Sequence, residues 1–220
     1  MVKCLELFCG TKSFKKACPD DWEIISVDIL KKFNPDICCD ILDLDYKTLW
    51  KEGEFDIIWL SPPCRYFSTM LDTWLGRPLK RLGGKILTRE QRVLDEINLG
   101  LPPVHKGLEI VDYLKPKYWF MENPASGGTL HKYITDRNKI QVDYSAFGFD
   151  YRKRTNIWTN RNDLKNKLTP HNVYHKTRIG KNSVGKSTSS DRSIGLLERY
   201  SIPPKLFDYL LDGCIFNNIH

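Results

Sequence analysis

Ser61-Pro62-Pro63-Cys64 follows an apolar run, Phe55 to Leu60, and carries the most chemistry of any segment in the chain. Two adjacent prolines remove two backbone donors and fix φ, so the chain there is rigid and held away from helix. Such a turn at a strand end is a good platform for a nucleophile. Cysteine attacks as its thiolate, which cationic neighbours favour, and Arg65 is adjacent in sequence. A buried cysteine in a plain turn is the other reading of the tetrapeptide. Met121-Glu122-Asn123-Pro124 sets a carboxyl behind the next apolar run, Tyr118 to Met121. Burial would hold that carboxyl partly protonated, able to hydrogen-bond a ring nitrogen of a base. Taken alone, it equally reads as an ordinary turn.

A second group of residues has the pattern of a ligand cradle. Phe8-Cys9-Gly10-Thr11-Lys12-Ser13 follows the first apolar run, and Gly10 lets backbone approach a ligand closely. Asp28 ends the second run, where an acidic residue commonly binds ribose hydroxyls. Asp40 is placed to accept from an adenine amino group, with Ile41 packing on the ring. A full GxGxxG is missing, because Lys12 stands where a second glycine is expected; that argues against a pyrophosphate cofactor. A nucleoside without phosphates fits better, and S-adenosylmethionine is the common one. A strand-turn-helix with no ligand is the alternative.

The elements that must hold these residues alternate. Apolar runs at Cys4 to Phe8, Trp22 to Val27, Ile37 to Cys39, Phe55 to Leu60 and Tyr118 to Met121 read as strands, with helical spacing at Leu108, Val111 and Leu114. The pattern predicts an α/β fold, a mostly parallel sheet wrapped by helices. Gly10, Asp28, Asp40, Ser61 and Glu122 all fall just beyond predicted strand ends, where open α/β sheets bind ligands. Gly76 to Pro103 is a long polar connection, within which Thr88 to Ile97 reads as a helix with a Thr88/Gln91 capping box. Pro203 to Leu211 reads as a closing helix that packs back through Leu206, Tyr209 and Leu210.

The net charge of +7 is uneven: Arg161 to Arg192 holds eight basic residues against two acidic ones. A polyanionic partner is expected, with phosphate contacts from this segment and from the Gly76 to Pro103 connection. The candidates are Arg65, Arg77, Lys80, Arg81, Lys176, Arg178, Lys181 and Lys186. Gly180 to Ser187 fits a GxxxxGK[ST] phosphate loop, but no apolar strand precedes it and no apolar-faced helix follows, so it reads as a Gly/Ser/Lys loop. The seven cysteines form no CxxC pair and read mostly as small buried hydrophobes. His171 and His175 have helical spacing without further ligands, so no metal is expected. No apolar run approaches the roughly 20 residues that span a bilayer, and the start lacks the features of a signal peptide. An intracellular, reducing location is expected, without a membrane partner.

LELFCGTKS, SPPC, MENP, FGFDYRKRTNIW (Phe147 to Trp158) and YSIPPKLFDYLL (Tyr200 to Leu211) stand in the order of the cytosine-5 DNA methyltransferase motifs. The chain resembles the compact phage and viral members of that family, over about Lys3 to Thr159 and the last twenty or so residues. The resemblance implies a Rossmann-like S-adenosylmethionine-dependent methyltransferase fold with a much reduced target-recognition region. Residues 1–160 would form the catalytic, cofactor-binding domain, 161–199 a short basic recognition segment, and 200–220 a helix packing back. It implies that Cys64 attacks C6 of cytosine, Glu122 contacts N3 and Arg154 orients the base. Phe8, Gly10, Thr11, Asp28, Ile29, Asp40, Ile41 and Pro62 would line the cofactor. The partner implied is DNA, double-stranded with the target base flipped. The chain departs from the family pattern at Lys12, Pro124, Asn156 and Tyr200, which keeps two other readings open: a weak or silent cofactor- or DNA-binding homologue, and an RNA cytosine-5 methyltransferase. Amino-group methyltransferases place an aromatic residue after the double proline, where Cys64 stands here.

Overall fold

Strands that are apolar at nearly every position must be covered on both faces, and this is the condition of the sheet's centre. The computed structural model describes residues 1–170 and 201–214. β1 (Lys3–Leu7), β2 (Glu23–Asp28), β3 (Ile37–Cys38), β4 (Ile57–Leu60) and β5 (Tyr118–Pro124) run parallel. With β6 (Lys139–Asp143) and β7 (Arg154–Thr159) they form one seven-stranded sheet in the order β3-β2-β1-β4-β5-β7-β6. β7 is antiparallel to both of its neighbours. The arrangement is the mostly parallel α/β sheet that the alternation of elements predicted, and it is Rossmann-like as the resemblance implied.

The helices are α1 (Ser13–Ala17), α2 (Tyr46–Leu49), α3 (Arg89–Asp95), α4 (Leu101–Leu114) and α5 (Pro204–Leu211). Side chains alternate across a strand. Leu5, Leu7, Ile58 and Leu60 therefore meet Val104, Leu108 and Val111 of α4 on one face. Cys4, Ile57 and Trp59 meet Phe14 of α1 and Leu206, Phe207 and Leu210 of α5 on the other. Trp59 lies 4.8 Å from Phe207 edge-on and 5.8 Å from Phe14 stacked. Burying each such ring stabilises the fold by about 2–3 kcal/mol. Arg161 fastens α5 to the sheet by donating to the carbonyls of Leu210 (3.1 Å) and Asp212 (2.5 Å) and pairing with Asp163. Its charge is used inside the fold, although it belongs to the basic run.

Four expectations change. Glu122 lies inside β5, not beyond its end, because β7 extends the pairing to Pro124. β6 and β7 form where no separate strand was read. The second half of the Gly76 to Pro103 connection is helix: α3 passes through a π-turn (Glu96–Gly100) straight into α4. Pro102 and Pro103 fit the first turn of α4, where missing donors cost nothing. Thr88 caps α3 by accepting from the Gln91 N–H (3.1 Å), but the Gln91 side chain turns to Asp95, so only half of the capping box forms. His171, His175, Lys176, Arg178, Lys181, Lys186, the Gly180 to Ser187 stretch and Tyr200 lie outside the described residues. No helix among the described residues is long and apolar enough to cross a membrane.

Candidate active site

β4 stops pairing with β5 at Leu60↔Met121, while β5 continues against β7 through Glu122, Asn123 and Pro124. The edge vacated by β4 faces the Ser61 to Cys64 turn, and Asn123 uses it: its Nδ2 donates to the Pro62 carbonyl at 3.0 Å, fully buried. On the other side of the turn, the N–H of the buried Phe67 donates to the Cys64 carbonyl (3.0 Å). Cys64 is thus held from both flanks. Burial pushes its thiol up, the Glu122 carboxyl pushes it further, and Lys153 opposes both. Arg65, the cation expected to favour the thiolate, turns away instead: its guanidinium donates to the Tyr66 hydroxyl (2.8 Å) and lies over that ring. Arg65 and Tyr66 are the central residues of the turn that Phe67 closes onto Cys64, so Arg65 swings away and adjacency in sequence gave the wrong partner.

Glu122 accepts from the Tyr144 hydroxyl at 3.0 Å and lies 3.7 Å from the Lys153 ammonium. Tyr144 is fully buried, and its hydroxyl is pushed well above its ordinary range, by burial first and then by Glu122. Lys153 is fixed at its backbone, donating to Asp143 Oδ1 (3.1 Å) and accepting from the Tyr144 N–H (3.2 Å). Arg154 opens β7, half-buried, and its carbonyl accepts from the Ala125 N–H at 2.9 Å. The structure therefore gathers Cys64, Glu122 and Lys153 from three separate elements, with Arg154 next in line.

At the carboxyl ends of β1 and β2 the backbone itself is the architecture. Phe8, Gly10 and Lys12 all take positive φ (58°, 46° and 56°), folding the loop sharply over the sheet edge. A Cβ on Gly10 would meet nothing nearer than the Phe8 carbonyl at 3.9 Å, so the glycine keeps space open beside the loop. Asp28 accepts from the N–H groups of Gly10 and Leu30, both at 2.8 Å. A carboxylate has about four acceptor positions, so two remain for hydroxyls. Thr11 and Ser13 share a hydroxyl hydrogen bond (3.0 Å). Asp40 Oδ1 accepts from Leu42 N–H (3.0 Å), ordering the turn that carries Ile41. Ile41 is buried in the core and Pro62 is buried beneath the Cys64 turn, while Ile29 is 59% exposed. Ile29 is therefore the accessible apolar side chain next to Asp28, while Ile41 belongs to the core. This set fits a nucleoside carrying a diol and no phosphate.

A virus supplies a close comparison. In an alignment of 234 positions that covers 97% of its length, the chain is 35% identical to the whole of a Frog virus 3 (isolate Goorha) protein named "Probable DNA (cytosine-5)-methyltransferase". The chain belongs to the DNA (cytosine-5)-methyltransferase family. No family model matches it. Among solved structures it is similar to an Entamoeba histolytica methyltransferase (TM-score 0.47, 16% identity, 80% of this chain covered) and to Spodoptera frugiperda DNMT2 (0.45, 21%, 77%). The chain spans little more than half the length of each, 57% and 56%.

As a cytosine-5 methyltransferase, the chain must take a methyl donor, and its departures from the family pattern can be placed. Lys12 adopts a left-handed conformation despite its side chain, and its ammonium bridges to the Asn34 carbonyl. Pro124 ends β5 opposite Thr155. Asn156, where a second arginine is expected, is buried and accepts from Gln141 Nε2 (3.3 Å), so it brings no charge. Of the predicted phosphate contacts, Arg77 is exposed over Trp74 (5.7 Å) and Lys80 is exposed, but Arg81 pairs with the buried Asp95 (2.5 Å). A network that sequence did not reveal lies behind the nucleophile's segment. Arg92 pairs with Asp72 (2.8 Å) and Glu96 (2.7 Å), and Glu96 accepts from Thr129 (2.8 Å) and Tyr133 (2.5 Å). Arg92 and Glu96 stand at i, i+4, which in a sequence is indistinguishable from a solvated surface pair.

Proposed function

We propose that this chain transfers a methyl group from S-adenosylmethionine to C5 of cytosine in DNA, through a covalent bond between Cys64 and C6. The observation that carries the reading is the pairing of a thiol on a rigid Pro-Pro turn with a buried carboxyl facing it from β5. S-adenosylmethionine supplies an electrophilic methyl group. Asp28 would accept from its ribose hydroxyls and Asp40 from its adenine amino group, with Ile29 packing on the ring.

C5 of cytosine is a poor nucleophile until the ring's aromaticity is broken. The Cys64 thiolate adds to C6, forming the S–C6 bond; the displaced electron pair moves through the ring as N3 takes a proton held at Glu122. The resulting enamine gives C5 the density to attack the methyl group that S-adenosylmethionine would supply: the C5–methyl bond would form as the methyl–sulfonium bond breaks, and S-adenosylhomocysteine would leave with that electron pair. Loss of the C5 proton to a base then forms the C5–C6 double bond and breaks the S–C6 bond, releasing Cys64 as the thiolate while N3 returns its proton to Glu122. Arg154, beside Lys153, orients the base. The target base must leave the stack to reach this pocket, and the exposed Arg77 and Lys80 supply phosphate contacts that position the duplex without reading it.

Cys64→Ser decides the matter. It should abolish methyl transfer and also covalent trapping on DNA carrying 5-fluorocytosine, whose C5 cannot release a proton, while donor binding by calorimetry persists. Undiminished transfer by this variant would remove the covalent mechanism. Transfer to RNA oligonucleotides and none to DNA would move the substrate to RNA.

A further inference from the structure

The pocket holds a cation that no part of the proposed chemistry yet uses. Lys153 sits in the turn before β7 with its side chain mostly covered, its backbone fixed by Asp143 and Tyr144, and its ammonium 4.6 Å above the Tyr144 ring. A long, flexible lysine normally loses rotamer entropy when held in one place. Here backbone, ring face and the Glu122 carboxylate at 3.7 Å restrain it together. The groups that face Cys64 are Glu122 from β5 and Lys153 from this turn, with Tyr144 beneath Lys153 and Arg65 directed to Tyr66. An ionised Glu122 so close would oppose a thiolate unless a positive charge stood by both. Asn156 is buried and neutral.

We infer that Lys153 is a positioning residue whose ammonium is shared by the Cys64 thiolate and the Glu122 carboxylate, supplying the pocket charge that Asn156 does not. This deepens the proposed function and rests on Cys64 being its nucleophile. The arrangement lets two anions coexist before the substrate arrives. As the base enters, Glu122 takes from solvent the proton that it passes to N3; while Glu122 is protonated, Lys153 stands beside the Cys64 thiolate alone, and at the end of the cycle it stabilises Cys64 as the leaving thiolate.

The test reads Cys64 directly, without substrate. The pH dependence of iodoacetamide alkylation is followed at the Cys64 peptide by mass spectrometry, which separates it from the exposed Cys38. Lys153→Met should move the Cys64 profile up by about one pH unit, an alkylation rate about tenfold lower well below the midpoint. Lys153→Arg should leave it near the wild-type position. Adding Glu122→Gln to Lys153→Met should move the profile back down, because the opposing anion is gone. A purely structural role for Lys153 predicts no such reversal, and an unchanged profile in Lys153→Met would overturn the inference. In methyl transfer, Lys153→Met should lower kcat near neutral pH and recover toward alkaline pH, with KM little altered. Failure of wild-type methyl transfer with the alkylation shifts intact would remove the proposed function and leave the charge sharing standing.

Discussion

The cradle at the ends of β1 and β2 and the pocket at the ends of β4, β5 and β7 are built by different means. The cradle is a backbone construction. Three residues with positive φ lie within five positions, Asp28 accepts loop N–H groups, and Asp40 orders its own next turn. The pocket is a side-chain construction, in which Asn123 holds Pro62 across 61 residues and Tyr144 holds Glu122 across 22. Local conformation tolerates side-chain changes as long as φ and the caps survive. A side-chain network fails wherever one partner is removed, because a buried group is left unsatisfied.

The largest effect expected from this difference is at Asp143, which is fully buried and accepts from the Lys153 N–H and the Ser145 hydroxyl while pairing with Arg152 at 3.1 Å. Asp143→Ala should destabilise the fold by about 4 kcal/mol, read from the urea midpoint, since it strips a partner from a covered cation and two donors. A loss below about 1 kcal/mol would mean that the pocket is held by backbone after all.

Glu6 comes next and belongs to the cradle side. Strand alternation turns it toward α1, where it accepts from the N–H groups of Phe14 (3.2 Å) and Lys15 (3.4 Å), but burial wins and lifts its pKa from 4.5 to about 7. The folded protein therefore keeps a proton that the unfolded chain has released between those values. Its contribution is fully present below about pH 4.5 and is lost as pH rises through about 7, a slope worth about 3 kcal/mol over the window. Glu6→Gln cannot ionise, so its unfolding free energy should be flatter between pH 5 and 8 than the wild type's. An unchanged slope would assign the pH dependence to other groups.

Gly107 gives the smallest effect and the sharpest separation of the two regions. A Cβ there would come within 2.8 Å of Leu60 Cδ2 and 3.3 Å of the Phe8 ring. Gly107→Ala should cost about 1–2 kcal/mol by overpacking and weaken donor binding through Phe8, with the alkylation profile of Cys64 unmoved. A shift in that profile would show the regions to be coupled.

What could be read from sequence follows the same division. The Phe8 to Ser13 loop, Asp28 and the Pro62-Pro63 turn are short-range patterns, and a local pattern is visible in a string of residues. Lys153 and Asn123 were missed because each works on a residue 31 or 61 positions away. Arg65 was assigned to Cys64 by adjacency and serves Tyr66 instead. Glu122 was placed past a strand end because β5 loses one neighbour there, and nothing in its own residues shows that β7 keeps the other. Arg81 looked like a phosphate contact because its partner, Asp95, lies in α3 and is buried only once α3 packs.

The clasp between Arg161 and α5 also sets an order of events during synthesis. Phe207 covers Phe14 and Trp59, and Ser13 Oγ accepts from the Ile202 N–H, so one face of the sheet is completed by the last described helix. About 150 residues separate Trp59 from Leu211. At ribosomal speeds that leaves aromatic surface waiting roughly 8–30 s for its cover. The nascent chain is therefore a client for whatever binds exposed rings in the cell, and its yield should depend on elongation rate more than its final stability does.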